Sequence, residues 1–401
     1  MGCRICGRSV REILDLGEMP PANSLKRFPE EHEVSYPLVV EFCDACGNVQ
    51  LRDCLDSEAL YRNYLYVTPR SAMLSEHYEY LYGYLSTNGY LGSDSTVLEI
   101  GSNAGLFLQY LKPKVKRVFG IDPAVAICEL ANGAGIETVC DFFSPTSALD
   151  VKMRVGRPDV ILARHCFAHN SDPHEILQGV TDLLDAKGYF VVENAYLLNT
   201  IENNEFDQIY HEHMFYYSIR SMQHVLGLHD MHVVDVLMSL VHGGSIIFVA
   251  KKKMAGDGVN ESVSKYLSRE RLFLKPQAFD QFGAHAYETR RRLRTLIDQL
   301  KVDGRSIYTY GATAKGNTLL NFVGLTNNEI TYCVDSTPLK QGRYLPKSNI
   351  EIVSEEEARA QPPDYFLLTA WNYKDEIVSK VRRSGNYRSK FIVPIPFVHI
   401  L

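Results

Sequence analysis

The chain has 401 residues, 45% hydrophobic and 22% charged, with a net charge of −6 and a pI of about 6.1. That length predicts two or three globular domains, and an acidic balance with no basic tail or stripe argues against a nucleic-acid partner. No apolar run reaches the ~18 residues of a membrane span, the start Met-Gly-Cys-Arg-Ile-Cys has no signal core, and nine cysteines then predict a reducing, cytoplasmic setting with metal ligation rather than disulfides. Gly2 is not read as a myristoylation site, because Cys6 stands where Ser or Thr is needed.

Cys3-x-x-Cys6 and Cys43-x-x-Cys46 come first, each followed by glycine. A Cys-x-x-Cys turn puts two thiolates on one side of a loop, and two such loops complete a tetrahedron around zinc. Sulfur at all four positions leaves no open coordination site, so the predicted metal is structural. Cys54, Cys128, Cys140, Cys166 and Cys333 lack that spacing and are read as buried apolar residues. Between the pairs, Pro20 and Pro21 exclude a helix interior. Tyr61, Tyr64 and Tyr66 then crowd one short segment, as packing residues or as phenols facing a cleft. Leu74–Leu85 reads as an amphipathic helix.

From Ser95 strand and helix alternate. Val97–Ile100 predicts a buried strand, Gly101 to Gly105 a tight turn, and Leu106–Leu111 a helix start. The spacing Glu-x-Gly-x-x-x-Gly differs from the Gly-x-Gly-x-x-Gly of dinucleotide sites. It resembles motif I of class I S-adenosylmethionine-dependent methyltransferases. That resemblance implies that Gly101 and Gly105 pass the methionine part and that Glu99 faces its amino group, with Ser102 and Asn103 in the same turn. Asp122 closes the next predicted strand, Arg117–Ile121, where an acid can accept bonds from ribose hydroxyls or cap a helix. Glu137–Val139 is a candidate third strand. Asp141 with Phe142 and Phe143 follows, a seat for adenine or a piece of core. Asp159–Ala163 and Tyr189–Glu193 are read as strands four and five, with Arg164 to His169 between them. Polar residues at the strand C-termini predict a doubly wound, mostly parallel sheet with its site at that edge.

The densest polar cluster is Tyr210-His211-Glu212-His213. Read as a strand, it puts His211 and His213 on one face and Tyr210 and Glu212 on the other. The residues alone allow a metal site, an acid/base set, or satisfied polar groups under a lid. Val233–Leu237 and Ser245–Lys251 predict a strand pair around His242-Gly-Gly-Ser. That turn is similar to an oxyanion-hole turn, but no Gly-x-Ser-x-Gly nucleophile accompanies it. Lys251–Lys253 reads as a solvated boundary. Phe279–Leu300 reads as a long helix with Arg290–Arg294 on its solvated face. After Gly304 a second α/β unit begins: strand Ile307–Tyr310, turn Gly311–Asn317, helix start at Thr318, then strands Ile330–Val334 and Asp364–Leu368 before Trp371. Helix-start amides beside Lys315 suit a diphosphate. The unit is also readable as a Rossmann-like repeat kept for packing.

Taken together, the two cysteine pairs, Glu99–Gly105, Phe206–His213, His242–Ser245 and Tyr310–Gly316 resemble the nucleotide-sugar C-methyltransferases of deoxysugar pathways, over nearly the whole chain. The resemblance implies a zinc-binding domain at 1–70, a methyltransferase domain at 71–255 and a Rossmann-like nucleotide-sugar domain at 256–401. It implies methylation at C-3 of a 4-keto-6-deoxyhexose linked to a nucleoside diphosphate. S-adenosylmethionine would be the donor and zinc structural, in a monomer or weak oligomer with no nucleic-acid or membrane partner. His213 would be the base, with Tyr210, Glu212, His169 and Tyr66 around the sugar. Glu99, Gly101, Ser102, Asn103, Gly105, Asp122, Asp141 and Phe142 would hold the cofactor; Tyr64, His242, Lys315 and Trp371 the substrate. Three departures stand out. Asn103-Ala104 replaces a frequent Asn-Asp, Asp122-Pro a usual Glu-Pro, and Arg164-His165 stands where small or amide residues are common.

This chemistry explains the residue types. A C–H bond is acidic enough for a side chain only next to a carbonyl, and a histidine can then take the proton near neutral pH. A tyrosine or histidine donor would stabilise the enolate oxygen, and holding both reactants in place contributes up to roughly 7–11 kcal/mol. No catalytic metal is required, which favours acid/base machinery at Tyr210–His213. The competing readings are a zinc-containing methyltransferase acting on RNA, an oxidoreductase using Gly311–Asp335 for NAD, and a zinc scaffold without turnover.

Overall fold

The computed structural model describes residues 2–62, 67–68, 70–239 and 244–401. Strands β1 (Arg11–Met19), β2 (Tyr36–Phe42) and β3 (Val49–Leu51) form an antiparallel meander at the N-terminus. The middle of the chain supplies β4 (Thr96–Ile100), β5 (Arg117–Asp122), β6 (Thr138–Cys140), β7 (Val160–Arg164) and β8 (Tyr189–Ala195). It continues with β9 (Phe215–Tyr216), β10 (Met231–Ser239) and β11 (Ser245–Lys252). The C-terminal part supplies β12 (Ile307–Tyr310), β13 (Tyr332–Val334), β14 (Glu351–Val353), β15 (Tyr365–Leu368), β16 (Lys390–Val393) and β17 (His399–Ile400).

The central sheet runs β10-β11-β8-β7-β4-β5-β6, parallel from β8 to β6, with β11 antiparallel to both of its neighbours. Apolar runs such as Val160 to Ala163 and Phe190 to Val192 are fully buried. Strands covered on both faces need continuous rather than alternating apolar residues. The chain winds outward through β5 and β6, then returns to place β7 on the other side of β4. That reversal opens a crevice at the strand C-termini, where ligands of such sheets bind. Helix starts are fixed locally: Ser144 and Ser147 form a capping box, and Asp172 accepts from His174 N and Glu175 N ahead of Pro173.

The C-terminal sheet, β14-β13-β12-β15-β16-β17, repeats the device, parallel except for β17. Its first helix runs Ala314–Val323, capped by Thr313 Oγ1 accepting from Gly316 N at 3.0 Å. It therefore starts four residues before the expected Thr318, because the threonine cap lies inside what reads as turn. The long helix is Pro276–Val302, with Phe279, Phe282, Ala286, Leu293, Ile297 and Leu300 buried along one stripe. Phe279 stacks on Phe42 at 4.1 Å, which fastens this helix to the N-terminal meander. Its solvated face carries ion pairs from Arg291 and Arg292 to Glu288 and from Arg294 to Glu329. Among the described residues no helix is long and apolar enough to cross a membrane.

Candidate active site and metal centre

The four Sγ atoms of Cys3, Cys6, Cys43 and Cys46 lie within 4.8 Å of one another. A tetrahedron with Zn–S bonds of about 2.3 Å sets sulfurs about 3.8 Å apart, so the residues fit zinc. The two knuckles share one backbone design: Gly7 N donates to Cys3 O at 2.8 Å, and Gly47 N to Cys43 O at 2.9 Å. The other cysteines are mostly packed; Cys140 is the correction, being exposed. The cysteine module holds the segment after Tyr210–His213 from outside. Strand β9 joins the meander through β3, pairing Val49 with Tyr216 and Gln50 with Phe215. Arg220 Nη2 adds bonds of 2.9 Å to the carbonyls of Asp44 and Ala45.

At the central crevice, Gly101 has φ +63°, and a Cβ there would sit 2.7 Å from Cys166 Cβ. Gly105 is left-handed as well and begins the helix Leu106–Leu111. This is a close-packed turn with room for a ligand only on its open side. Asn103 N donates to Asp122 Oδ2 at 2.9 Å, and Ala124 N to Oδ1 at 3.0 Å. Asp122 thus both braces the turn and precedes the helix, serving the two readings at once. Burial pushes its carboxyl up, while those two N–H groups oppose the shift. Ser102 Oγ and Glu99 Oε2 are buried with no hydrogen-bond partner among the described residues. An unpaired buried polar atom costs about 1–3 kcal/mol, so both atoms fit a polar ligand such as the methionyl end of S-adenosylmethionine. Phe142 is half-buried with Arg62 over its ring at 5.4 Å, and Phe143 is core. Asp141 is exposed, with Oδ1 accepting from Phe142 N.

Glu99 has a partner that sequence reasoning missed. Arg164 Nε and Nη2 lie 2.8 and 2.7 Å from Glu99 Oε1. Burial pushes the Glu99 carboxyl up, and Arg164 pulls it part of the way back. Breaking such a buried pair costs about 3–5 kcal/mol. Behind it, His77 Nε2 lies 3.0 Å and His165 Nε2 3.7 Å from the buried carboxylate of Glu193. Burial alone would raise Glu193; the two imidazoles outweigh it and hold the carboxyl well below its usual range.

The Tyr210–His213 segment is a turn, not a strand. His213 N donates to Tyr210 O at 2.9 Å, which brings side chains three apart together. Tyr210 OH lies 2.6 Å from His213 Nε2, and His213 Nδ1 lies 2.9 Å from the Gln208 carbonyl. A carbonyl only accepts, so Nδ1 carries the proton and Nε2 accepts from the tyrosine. His211 points away to the Pro37 carbonyl and the Tyr36 ring, while Tyr210 joins His213, so the expected strand faces, His211 with His213 and Tyr210 with Glu212, do not form. His169 stacks on His213 at 5.1 Å and on Tyr61 at 5.8 Å. Burial, then the neighbouring His169, holds His213 well below the usual histidine range; burial and then His165 lower His169. Both imidazoles are therefore neutral at pH 7. Glu212 is buried: Oε1 accepts from Asn23 Nδ2 at 2.8 Å, and its carbonyl accepts from Tyr61 OH at 3.2 Å. Glu212 Oε2 has no partner among the described residues. The Asn23 contact spans 189 positions, and nothing near Asn23 in the sequence announces it.

The C-terminal unit closes the other side. Thr318 Oγ1 donates to Ile209 O at 3.0 Å, and Asn317 Nδ2 to Ala22 O at 2.9 Å. Trp371 Nε1 donates to the buried Asp207 Oδ2 at 2.6 Å, with Lys315 Nζ 5.5 Å from the Trp371 ring centre. Asp207 Oδ1 and Glu205 Oε2 are buried without partners among the described residues. Burial raises the Glu205 carboxyl to about 7, with Lys315 opposing and Asp207 adding to the rise. Of the expected site residues, His169, Tyr210 and His213 come together, the Glu212 side chain turns to Asn23, and Lys315 adjoins Trp371. Tyr64, Tyr66 and His242 lie outside the described residues.

A seven-stranded sheet of this order, with a glycine turn at its reversal and an acid ending the next strand, defines a class I S-adenosylmethionine-dependent methyltransferase. Residues 3–61 match a family of zinc binding domains, 74–236 a methyltransferase domain, and 240–396 the C-methyltransferase C-terminal domain. C-methyltransferase NovU of Streptomyces niveus is 35% identical over 399 residues, 98% of this chain and 95% of that protein. The chain belongs to this C-methyltransferase family: it is an S-adenosylmethionine-dependent enzyme that methylates carbon and carries a structural zinc module. Two solved structures each match part of the chain. Magnesium protoporphyrin IX methyltransferase from Synechocystis PCC 6803 with bound SAM is 12% identical, covering 47% of this chain and 88% of that one at a TM-score of 0.35. N-methyltransferase NodS from Bradyrhizobium japonicum WM9 is 14% identical, covering 45% and 97% at a TM-score of 0.34.

Proposed function

We propose that the enzyme methylates C-3 of a nucleoside-diphosphate-linked 4-keto-6-deoxysugar, with His213 as the base. The observation that carries this reading is the Tyr210–His213 contact of 2.6 Å, its tautomer fixed by the Gln208 carbonyl. S-adenosylmethionine supplies a methyl group on positively charged sulfur, an electrophile for a carbon nucleophile. The chain's part is to make that nucleophile. His213 Nε2 holds a lone pair, and Tyr210 and His213 act as one unit on which the proton leaving C-3 ends. The electron pair of the broken C–H bond moves towards the ketone oxygen and then forms the new C–C bond. His169, stacked on His213, is the donor we assign to that oxygen. Glu212, tied to Asn23 and Tyr61, keeps one oxygen for a sugar hydroxyl or for water. Lys315 and the first turn of Ala314–Val323 suit the diphosphate, with Trp371 beside them. Tyr64, Tyr66 and His242 complete the proposed set.

The test is incubation with S-adenosylmethionine and a 4-keto-6-deoxyhexose nucleotide, read by mass and NMR. A new methyl group on C-3 is expected; a methyl on oxygen or nitrogen overturns the reading. His213→Asn is expected to lower turnover at least about 10²-fold with the affinity for S-adenosylhomocysteine unchanged.

A further inference from the structure

His213 offers a lone pair on Nε2 only while its proton sits on Nδ1. Which ring nitrogen holds the proton is set by the hydrogen bonds around the ring, and here the partner of Nδ1 is the Gln208 carbonyl at 2.9 Å. Gln208 ends the short 3-10 helix Phe206–Gln208. The C-terminal unit grips that stretch on both sides of Gln208. Before it, Phe322 meets the Phe206 ring edge-on at 5.4 Å, and Trp371 Nε1 donates to Asp207 Oδ2 at 2.6 Å. After it, Thr318 Oγ1 donates to Ile209 O at 3.0 Å. Thr318 and Phe322 are four apart on the helix Ala314–Val323 and so share one face. Phe206, Asp207, Ile209 and Thr318 are all buried. Two units fastened only for cohesion would do better with apolar side chains than with a buried carboxylate, and Asp207 Oδ1 has no partner among the described residues. The contacts are directional, and what lies between them is the carbonyl that His213 uses.

We propose that the C-terminal unit fixes the tautomer of His213, with Thr318 and Trp371 as positioning residues that act through the Gln208 carbonyl. The inference rests on the reading of His213 as the base. With Asp207 and Ile209 both pinned, the Gln208–Ile209 peptide cannot turn, and its oxygen stays aimed at Nδ1. Once one pin is lost the peptide can rotate, and Nδ1 loses its acceptor. The other tautomer then competes, with Nε2–H donating to the Tyr210 oxygen and no lone pair left for the proton on C-3. The C-terminal unit would thus serve the proton step itself, besides seating the substrate.

Two variants each remove one donor: Thr318→Val, which keeps the side-chain volume, and Trp371→Phe. The zinc-loaded full chain is labelled at histidine nitrogen, and the His213 ring signals in NMR are identified by their loss in His213→Asn. The wild type is expected to hold its proton on Nδ1. Each single variant should show a mixture of tautomers and a kcat about three- to tenfold lower, the range of one neutral hydrogen bond. The double variant should lose about a hundredfold, as for a misplaced reacting group. Thr318→Val should leave KM and S-adenosylhomocysteine affinity in place, and Thr318→Ser, which returns the hydroxyl, should rescue both tautomer and kcat. A wild type with its proton on Nε2 overturns the inference without any variant. So does a kcat loss with the His213 signal unmoved, which would make the contacts merely structural, or a double variant that matches the wild type in both. A shifted tautomer with turnover intact would remove His213 as the base, and the inference would fall with that reading.

Discussion

In the central unit the turn after β4 sets Asn103 N 2.9 Å from Asp122 Oδ2; in the C-terminal unit the turn after β12 sets Ala312 N 2.8 Å from Asp335 Oδ2. Both turns carry a left-handed glycine, Gly101 and Gly311, and both feed a helix. Their charges differ. Asp122 makes no ion pair among the described residues and shares its crevice with buried Glu99 and Glu193. Asp335 has Lys340 Nζ at 3.6 Å, and Lys315 stands in the first turn of the following helix. One backbone device is thus tuned towards a positively charged methyl donor and, in the reading proposed here, towards an anionic diphosphate. Architecture supplies the crevice, and side-chain charge selects what enters it.

The largest expected effects come from filling the two turns. Gly101→Ala forces a Cβ to 2.7 Å from Cys166 Cβ at φ +63°, and Gly311→Ala one to 2.7 Å from Ala370 Cβ at φ +108°. Strain of about 1–3 kcal/mol plus the clash should weaken S-adenosylhomocysteine binding at least about 100-fold for Gly101→Ala. Gly311→Ala should spare that binding and raise KM for the nucleotide sugar. Equal effects of both on cofactor binding, measured by calorimetry, would break the comparison. Next, Lys315→Ala should raise KM for the nucleotide sugar about ten- to a hundredfold, with the cofactor Kd unmoved in the same assay series. The smallest effect is on pH dependence. Glu205, raised to about 7, is neutral below that pH and gains a negative charge above it. KM for the anionic substrate should therefore rise roughly fivefold from pH 6 to 8, and Glu205→Gln should flatten that rise.

The parts that read directly from the chain are those whose cause is local. Cysteine spacing determines a knuckle within a few residues, and Glu99 to Gly105 determines a strand, a turn and a helix start. Parallel strands with continuous apolar runs follow the same logic. Boundaries move where a cap hides in a turn, as at Thr313. The Tyr210–His213 segment misleads because alternating residue types imitate a strand, while a single His213 N–H bond to Tyr210 folds it into a turn. Long-range partners leave no local trace. Strand β9 has only two residues and finds β3 across the zinc module. Asn23 meets Glu212 across 189 positions, and Arg164 meets Glu99 across 65.

The account stands on a proton leaving a carbon next to a ketone and ending on the Tyr210–His213 pair. In deuterium oxide, with S-adenosylhomocysteine replacing the methyl donor, the wild-type enzyme should wash the C-3 hydrogen out of a 4-keto-6-deoxyhexose nucleotide. NMR would show the C-3 proton signal fading with a one-dalton mass gain, and His213→Asn should leave it intact. No exchange by the wild type, or equal exchange by His213→Asn, would contradict the account.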